Sequence, residues 1–528
     1  MGFMSISLKK EMKKKQSIRW WPAIVITLLA IIILIWVWSS EASSRQVQIL
    51  TTGPVLILTS LFLFIWALFF ARIVRKIRFM IFGLFVLSIL TSVLLLDFRG
   101  VSGDVVPVLE WRWSKIAGEP TDKKIIDYKD TTAESAAIKG LTYNFPQFLG
   151  PDRNAIIPDL NLDRDWATNP PTLIWRRQVG AGWSGFAVVG DYAITQEQNG
   201  QEELVVAYDL STGNVRWIHK DVTKYEHAMT GDGPRATPTI SGDRVYSLGG
   251  NGLLNCLDLA SGKKIWARNV HEDHQALNPE YGTSCSPLVL NELVIVTSGG
   301  RKGTSLVSYN KHSGDFVWGG GDDPASYSSP IYTTIAGIPQ IIIFTNVSLV
   351  GHDPTNGKVL WRQPWPSGSE HVAQPVILPE DRILVSTGYG IGSKLFKIEK
   401  KNQNDFFVKI LWESRGLKAK FANFVYKDEF IYGLDDGILV CIDLVNGKRK
   451  WKSGRYGHGQ IILVGDLILI MAEKGYVALS EARPEKHNEL ARFKALKGKT
   501  WNSPTLAGNY LLVRNNKEAA CFELPVLK

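Results

Sequence analysis

The phrase Ala207-Tyr-Asp-Leu-Ser-Thr-Gly-Asn-Val-Arg-Trp217 returns four more times along the chain. It reappears as Cys256-Leu-Asp-Leu-Ala-Ser-Gly-Lys-Lys-Ile-Trp266, Ser308-Tyr-Asn-Lys-His-Ser-Gly-Asp-Phe-Val-Trp318, Gly351-His-Asp-Pro-Thr-Asn-Gly-Lys-Val-Leu-Trp361 and Cys441-Ile-Asp-Leu-Val-Asn-Gly-Lys-Arg-Lys-Trp451. Each copy reads as strand, tight turn, strand: the Asp or Asn side chain bonds to nearby amides and the Gly accepts positive φ. The closing Trp has a large apolar area to bury and one N–H to satisfy, which suits the groove between neighbouring units.

Degenerate copies end at Trp412, after a lengthened turn Lys400-Lys-Asn-Gln-Asn-Asp405, and at Phe493, while an orphan final strand ends its pattern at Trp175. The eight aromatic positions recur about every 45 residues, the length of a four-stranded propeller blade. Between each Trp and the next phrase lie two more β-rich runs joined by a polar turn, and the pairs Gly190-Asp191, Gly465-Asp466 and Gly508-Asn509 are hairpin signals. After Phe493 only three strands remain, so the orphan strand at Trp175 completes the last unit and closes the ring without a long open edge. The expected fold is all-β: an eight-bladed β-propeller over residues 170–528 with docking tryptophans Trp175, Trp217, Trp266, Trp318, Trp361, Trp412 and Trp451, preceded by three N-terminal transmembrane helices.

The N-terminal region supplies those helices. Apolar stretches at about 20–38, 53–71 and 79–96 carry no internal charge and are long enough to span a bilayer core. Tryptophans 20, 21, 36 and 38 sit at interfacial positions. The expected organisation is a cytoplasmic basic tail (1–19), a membrane anchor (20–96), a connector with lead-in segment (97–169) and the propeller.

Net charge is +10, but residues 1–113 hold 13 Lys/Arg against 5 Asp/Glu and so account for +8 of it. The excess is a topology signal, because the basic clusters at 9–19 and 72–78 read as cytoplasmic. Three spans then put the propeller on the far side of a bacterial inner membrane, in the periplasm. The nearly neutral remainder has no Lys/Arg stripe of the kind that binds nucleic acid.

The Asp-x-x-x-Gly-x-x-x-Trp phrase resembles the tryptophan-docking repeat of pyrroloquinoline quinone (PQQ) type β-propellers, from about Pro170 to the C-terminus. Phe145-Pro-Gln-Phe-Leu-Gly-Pro-Asp-Arg-Asn154 is similar to the segment that opens many bacterial PQQ-like propellers. The family includes quinoprotein alcohol and glucose dehydrogenases and the propeller lipoprotein of the outer-membrane β-barrel assembly machine, so the resemblance implies either a redox enzyme or a scaffold. Quinoprotein alcohol dehydrogenases carry a vicinal disulfide beside the cofactor, whereas Cys256, Cys285, Cys441 and Cys521 are far apart here. They read as small buried hydrophobes. No Cys-x-x-Cys-His, Gly-x-Ser-x-Gly, His-Glu-x-x-His or P-loop is present.

The segments leading into each first strand differ from one another, unlike the docking phrase. They place Trp183, Arg235, Tyr327, His371, Gln374, Lys418, Lys420, Asn423, His458, Trp501 and Asn502 around one mouth of the channel, and convergent polar groups in a funnel are the default binding-site hypothesis. Its cations suit an anionic ligand. A dehydrogenase also needs a carboxylate base and calcium beside the quinone, for which Glu197, Asn423, Asp435 and Asp436 are the available residue types. No catalytic residue and no metal site follows from the sequence.

Two readings result. One is a membrane-tethered extracytoplasmic propeller that binds a small anionic ligand or an envelope protein as a scaffold. The other is a membrane-bound PQQ- and calcium-dependent alcohol or sugar dehydrogenase passing electrons to quinone.

Overall fold

The structure, a computed structural model, describes residues 18–39, 45–112, 126, 128, 144–402 and 405–527. Most of the basic tail and of the connector lie outside the described residues. The chain divides into two compact units, Met1–Arg99 with Val105–Glu119, and Gly100–Asp104 with Pro120–Lys528.

The first unit holds three helices long and apolar enough to cross a membrane, Trp21–Ser39, Arg45–Phe70 and Arg75–Leu95. The second begins eight residues before the apolar stretch that marks it in the sequence, because hydropathy stops at the first polar side chains and a helix does not. The Thr51 and Thr52 hydroxyls donate to the carbonyls of Val47 and Gln48 one turn earlier, so these residues remain compatible with helix. Its last five residues, Trp66–Phe70, widen into a π-turn, and the Trp66 indole donates to the Arg19 carbonyl.

The strands of the propeller in the second unit form eight sheets: seven hold four consecutive antiparallel strands, one of these with a fifth strand in parallel, and the eighth joins three consecutive strands to one from far earlier in the chain. Sheet 1 runs Ala187–Val189, Tyr192–Asn199, Glu202–Asp209, Val215–Asp221, and sheets 2 to 7 follow in chain order over residues 239–269, 288–320, 331–364, 376–414, 425–455 and 460–494. Sheet 8 takes Thr505–Ala507, Tyr510–Arg514 and Glu518–Glu523 from the C-terminal end and Thr172–Gln178 from the other, so both ends of the ring meet in one ladder. The middle strands are buried on both faces, which is why Leu467–Met471 reads as an unbroken apolar run rather than an alternation.

The repeated phrase has a geometric cause at nearly every position. Its first residue pairs directly with the docking Trp: Ala207 with Trp217, Cys256 with Trp266, Ser308 with Trp318, Gly351 with Trp361, Cys441 with Trp451. A small side chain stands opposite the indole in these copies, three of the four cysteines among them, since Cys521 faces Trp175 in the same way, whereas Leu395 faces Trp412 in the degenerate copy. All four cysteines are free and buried. A bulge follows each of these pairs.

The turn carboxylate then caps the bend, as when Asp209 accepts from the amides of Ser211 and Thr212. The phrase glycine lies against the indole of the preceding sheet: a Cβ on Gly213 would come within 2.6 Å of Trp175, on Gly262 within 2.4 Å of Trp217, on Gly314 within 2.7 Å of Trp266 and on Gly357 within 2.4 Å of Trp318. These glycines also hold φ between 69° and 75°. Trp361 would need its glycine from sheet 5, whose lengthened turn has none; its indole donates to Gln340 within its own sheet instead. The remaining docking indoles except Trp318 donate to a backbone carbonyl of the next sheet: Trp175 to Leu210, Trp217 to Leu259, Trp266 to Lys311, Trp412 to Leu444, Trp451 to Arg483, at 2.7–3.0 Å.

The lead-in segment lines the inner strands. Phe145 bridges to Val188 in sheet 1, the Ile240 amide of sheet 2 donates to the Pro146 carbonyl, and Ile156–Ile157 adds a parallel strand to sheet 7. Arg153, 3% exposed, donates to the carbonyls of Ser286 and Pro287 in sheet 3. Burial lowers its pKa to about 10, so it stays charged at neutral pH and needs these carbonyls. Between this segment and sheets 4 to 6 remains a cavity of about 130 Å³.

Candidate functional site

The residues just ahead of the first strands converge on the ring axis, where a backbone N–H has left its own ladder and needs another acceptor. The position two residues before the first strand supplies it in sheets 2 to 6, and in sheet 7 Gln460, at the start of its longer strand, does so. The Gly185 amide donates to Thr237 Oγ1, Thr237 to Ser286 Oγ, Ser286 to Ser329 Oγ, Ser329 to Gln374 Oε1, Gln374 to Asn423 Oδ1 and Asn423 to Gln460 Oε1, at 2.9–3.2 Å. Gln460 continues by donating to the Trp501 carbonyl, and Asn502 closes the circuit on the carbonyls of Gly182 and Ser184. Gln374, Asn423 and Asn502 thus join a side-chain-to-amide belt running from sheet to sheet.

Four other sequence-derived site residues are held by their own surroundings. Arg235 donates to the carbonyls of Gly233 and Gly231 and to Thr230 Oγ1 and lies 4.5 Å over the Tyr225 ring; burial brings its pKa down to about 10. His371 is fully buried, parallel to Phe344 at 4.4 Å and bonded to the carbonyls of Thr345 and Pro366, with its pKa lowered by burial. Lys418 pairs with Asp435, which is itself fully buried and also paired with Lys452. Tyr327 stands beside Tyr281, its hydroxyl accepting the Tyr281 amide, and its pKa is raised by burial.

Trp183, Lys420, His458 and Trp501 do come together. The two indoles are 4.9 Å apart, and Phe421 bridges Trp501 and His458 at 5.2 and 5.1 Å. Two residues outside the sequence-derived set join them. Lys499 lies 4.1 Å from the Trp501 ring and 5.2 Å from Trp183, with burial lowering its pKa to about 8. Glu473 accepts from the Trp501 indole at 2.9 Å and the His458 amide at 3.1 Å. Lys420, 5% exposed, sits over Tyr389 and Phe421, its pKa lowered by burial.

What fills this aromatic mouth is the segment Gly100–Asp104 of the same unit. The Gly103 amide donates to Glu473 at 2.7 Å, its carbonyl accepts Lys420 Nζ, the Asp104 carboxylate meets His458 Nε2 at 2.9 Å, and Lys499 Nζ donates to the Val101 carbonyl at 3.4 Å. Sequence spacing gave no signal for this, since the segment lies more than 300 residues from the groups that hold it.

The family profile described as outer membrane protein assembly factor BamB matches residues 201–453. The match supports PQQ-like repeats over this part of the chain. BamB of Shewanella oneidensis is 22% identical over 295 residues, which is 53% of this chain and 67% of that protein. Among solved structures, BamB from Moraxella catarrhalis is similar at 15% identity, covering 67% of this chain and 98% of its own, with a TM-score of 0.49. A europium-containing methanol dehydrogenase is similar at 12% identity, covering 73% and 99%, with a TM-score of 0.46.

The oxygen donors of this PQQ-like propeller do not fit calcium and a quinone. Glu197 is fully buried and accepts from the Tyr208 hydroxyl at 2.6 Å, the Gly180 amide at 2.6 Å and the Tyr128 hydroxyl. Asn423 is committed to the belt. Asp435 lies between two lysines, a charge environment that a divalent cation would not share. Among the described residues, no group of three or more His, Cys, Asp or Glu is placed to hold a metal.

Proposed function

We propose that this chain is a membrane-tethered, extracytoplasmic PQQ-like propeller that binds a protein partner in the bacterial envelope and has no turnover of its own. The observation that carries this reading is the mouth itself, whose aromatic and charged groups hold a peptide segment through its backbone and one carboxylate. The charge asymmetry of residues 1–113 supports a cytoplasmic-membrane anchor with the propeller on the periplasmic side. The likeness to BamB, an outer membrane protein assembly factor by description, supports an assembly or scaffolding role.

The test is photocrosslinking in intact cells, with a photoreactive residue introduced in turn at exposed propeller positions such as Val222, Leu277 and Val445. A discrete adduct with an envelope protein, seen from neighbouring positions and not from others, is expected. Absence of adducts from every face of the propeller contradicts the reading.

A further inference from the structure

The segment at the mouth is held in a manner that selects its chemistry. Gly103 is fully enclosed: a Cβ there would stand 2.3 Å from His458 Cδ2 and 2.6 Å from Cγ, and His458 is 1% exposed, so its ring has little room to yield. No residue but glycine fits without displacing that ring. The glycine's amide and carbonyl face opposite charges, Glu473 on one side and Lys420 on the other. The next residue presents its carboxylate to His458 Nε2. Lys499, lying over Trp501, takes the carbonyl two residues before the glycine.

These contacts read a turn whose glycine and aspartate stand in that order between the paired strands Leu96–Val101 and Pro107–Trp111, and each uses a buried or half-buried group of the propeller. Glu473 is itself fixed by two further donors, the Trp501 indole and the His458 amide, so its orientation does not depend on the segment. Lys420 is 5% exposed and stacked among Tyr389 and Phe421, so its ammonium would lose most hydration without a carbonyl to receive it. The features are those of a preorganised peptide site with a polar reading frame inside an aromatic wall.

We infer that the mouth is a recognition site for a Gly-Asp turn, that residues 101–104 are its resident ligand in cis, and that a partner protein engages it by offering a loop of the same chemistry. This inference deepens the scaffold reading above and rests on it. A tethered ligand competes at an effective concentration on the order of millimolar, so a partner displaces it only with additional contacts elsewhere or when the resident segment is drawn out.

The experiment uses the full chain in detergent and a fluorescent peptide with the sequence of residues 101–105, acetylated and amidated, read by anisotropy. In Gly103→Val the resident segment is ejected while every mouth residue is kept; the probe is expected to bind at least tenfold tighter than to the unaltered chain. Changing Asp to Asn in the probe weakens that binding at least tenfold, and adding His458→Ala to the chain abolishes the preference for Asp over Asn. Hydrogen exchange of residues 454–460 and 496–502 rises in Gly103→Val as the mouth opens.

Equal probe affinity for Gly103→Val and the unaltered chain overturns the inference, as does unchanged exchange at the mouth. Displacement of the probe by succinate at equal concentration reduces the site to one for any carboxylate and also overturns it. Should Gly103→Val not fold, the isosteric Asp104→Asn serves the same arm: the probe binds at least threefold tighter than to the unaltered chain, and equal affinity contradicts the inference. Failure of these tests with partner crosslinks retained removes the mouth and leaves the scaffold reading; loss of both removes the reading.

Discussion

Trp318 differs from its fellow docking tryptophans by one atom's environment. Its indole nitrogen is buried without a hydrogen-bond partner among the described residues, whereas Trp217 donates to the Leu259 carbonyl. Trp217→Phe therefore loses a bond and leaves an orphan carbonyl, costing about 1–2 kcal/mol beyond the packing change, while Trp318→Phe relieves an unsatisfied donor and costs less; equilibrium denaturant unfolding of the two variants checks the order. Glu203 is a second residue with a readable consequence. Burial pushes its pKa up to about 7 although it accepts from the Gly250 amide. With a folded pKa above the unfolded one, its contribution to stability is full below about pH 4.5 and is lost as pH rises to about 7. Glu203→Gln is expected to flatten that part of the stability-against-pH curve; a curve identical to that of the unaltered protein would contradict the assignment. At this scale the sequence was informative where chemistry repeats. The phrase's small first residue, its Asp and its Gly each answer to the same indole or turn in successive sheets. It was uninformative for His371 and Arg235, whose residue types suggest a ligand and whose partners are carbonyls of distant or adjacent loops that no spacing reveals.

The belt ahead of the first strands belongs to the scale of elements. Each first strand is short, three residues in sheets 1, 2, 3, 5, 6 and 8, so it contributes few ladder bonds and depends on the side chain borrowed from the next sheet. Gln374→Leu removes the acceptor of the Ser329 amide and the donor to the Ser329 carbonyl. A loss of about 2–4 kcal/mol is expected in thermal or denaturant unfolding, with no change in partner crosslinking, because the belt carries structure and not recognition. The residues were visible in the sequence as Thr237, Ser286, Ser329, Gln374, Asn423 and Gln460, but as a varied set rather than a column. Their common function is acceptance from an amide, which hydroxyl, carboxamide and different side-chain lengths all supply, so identity varies while the bond does not. Closure is the other element-scale claim. Removing Thr172–Gln178 strips sheet 8 of its outer strand and Trp175 of its place over Gly213; loss of a cooperative unfolding transition is the expected result, and an unchanged transition would mean that the ring does not need this strand.

For the whole molecule, the propeller's axis is occupied by its own chain. The lead-in segment bonds to sheets 1, 2, 3 and 7, the amide belt crosses the first strands, and Gly100–Asp104 lies in the mouth. The oxygen donors of the residue types that would serve calcium are committed to tyrosines, amides and lysines. The propeller repeat was legible from one phrase, but the choice between enzyme and binder is not carried by that phrase, because it depends on which polar side chains are already spent in the folded ring. Orientation in the membrane has its own check. The four native cysteines are buried, so Val445→Cys at a position 74% exposed offers a single reactive thiol; labelling by a membrane-impermeant maleimide in spheroplasts is expected before lysis, and labelling only after lysis would reverse the topology. The central claim, that the ring acts through its surfaces and holds no quinone, is tested most directly by titrating PQQ with calcium into the purified full chain in a calorimeter. The account predicts no saturable heat, and a saturable one-to-one heat would contradict it.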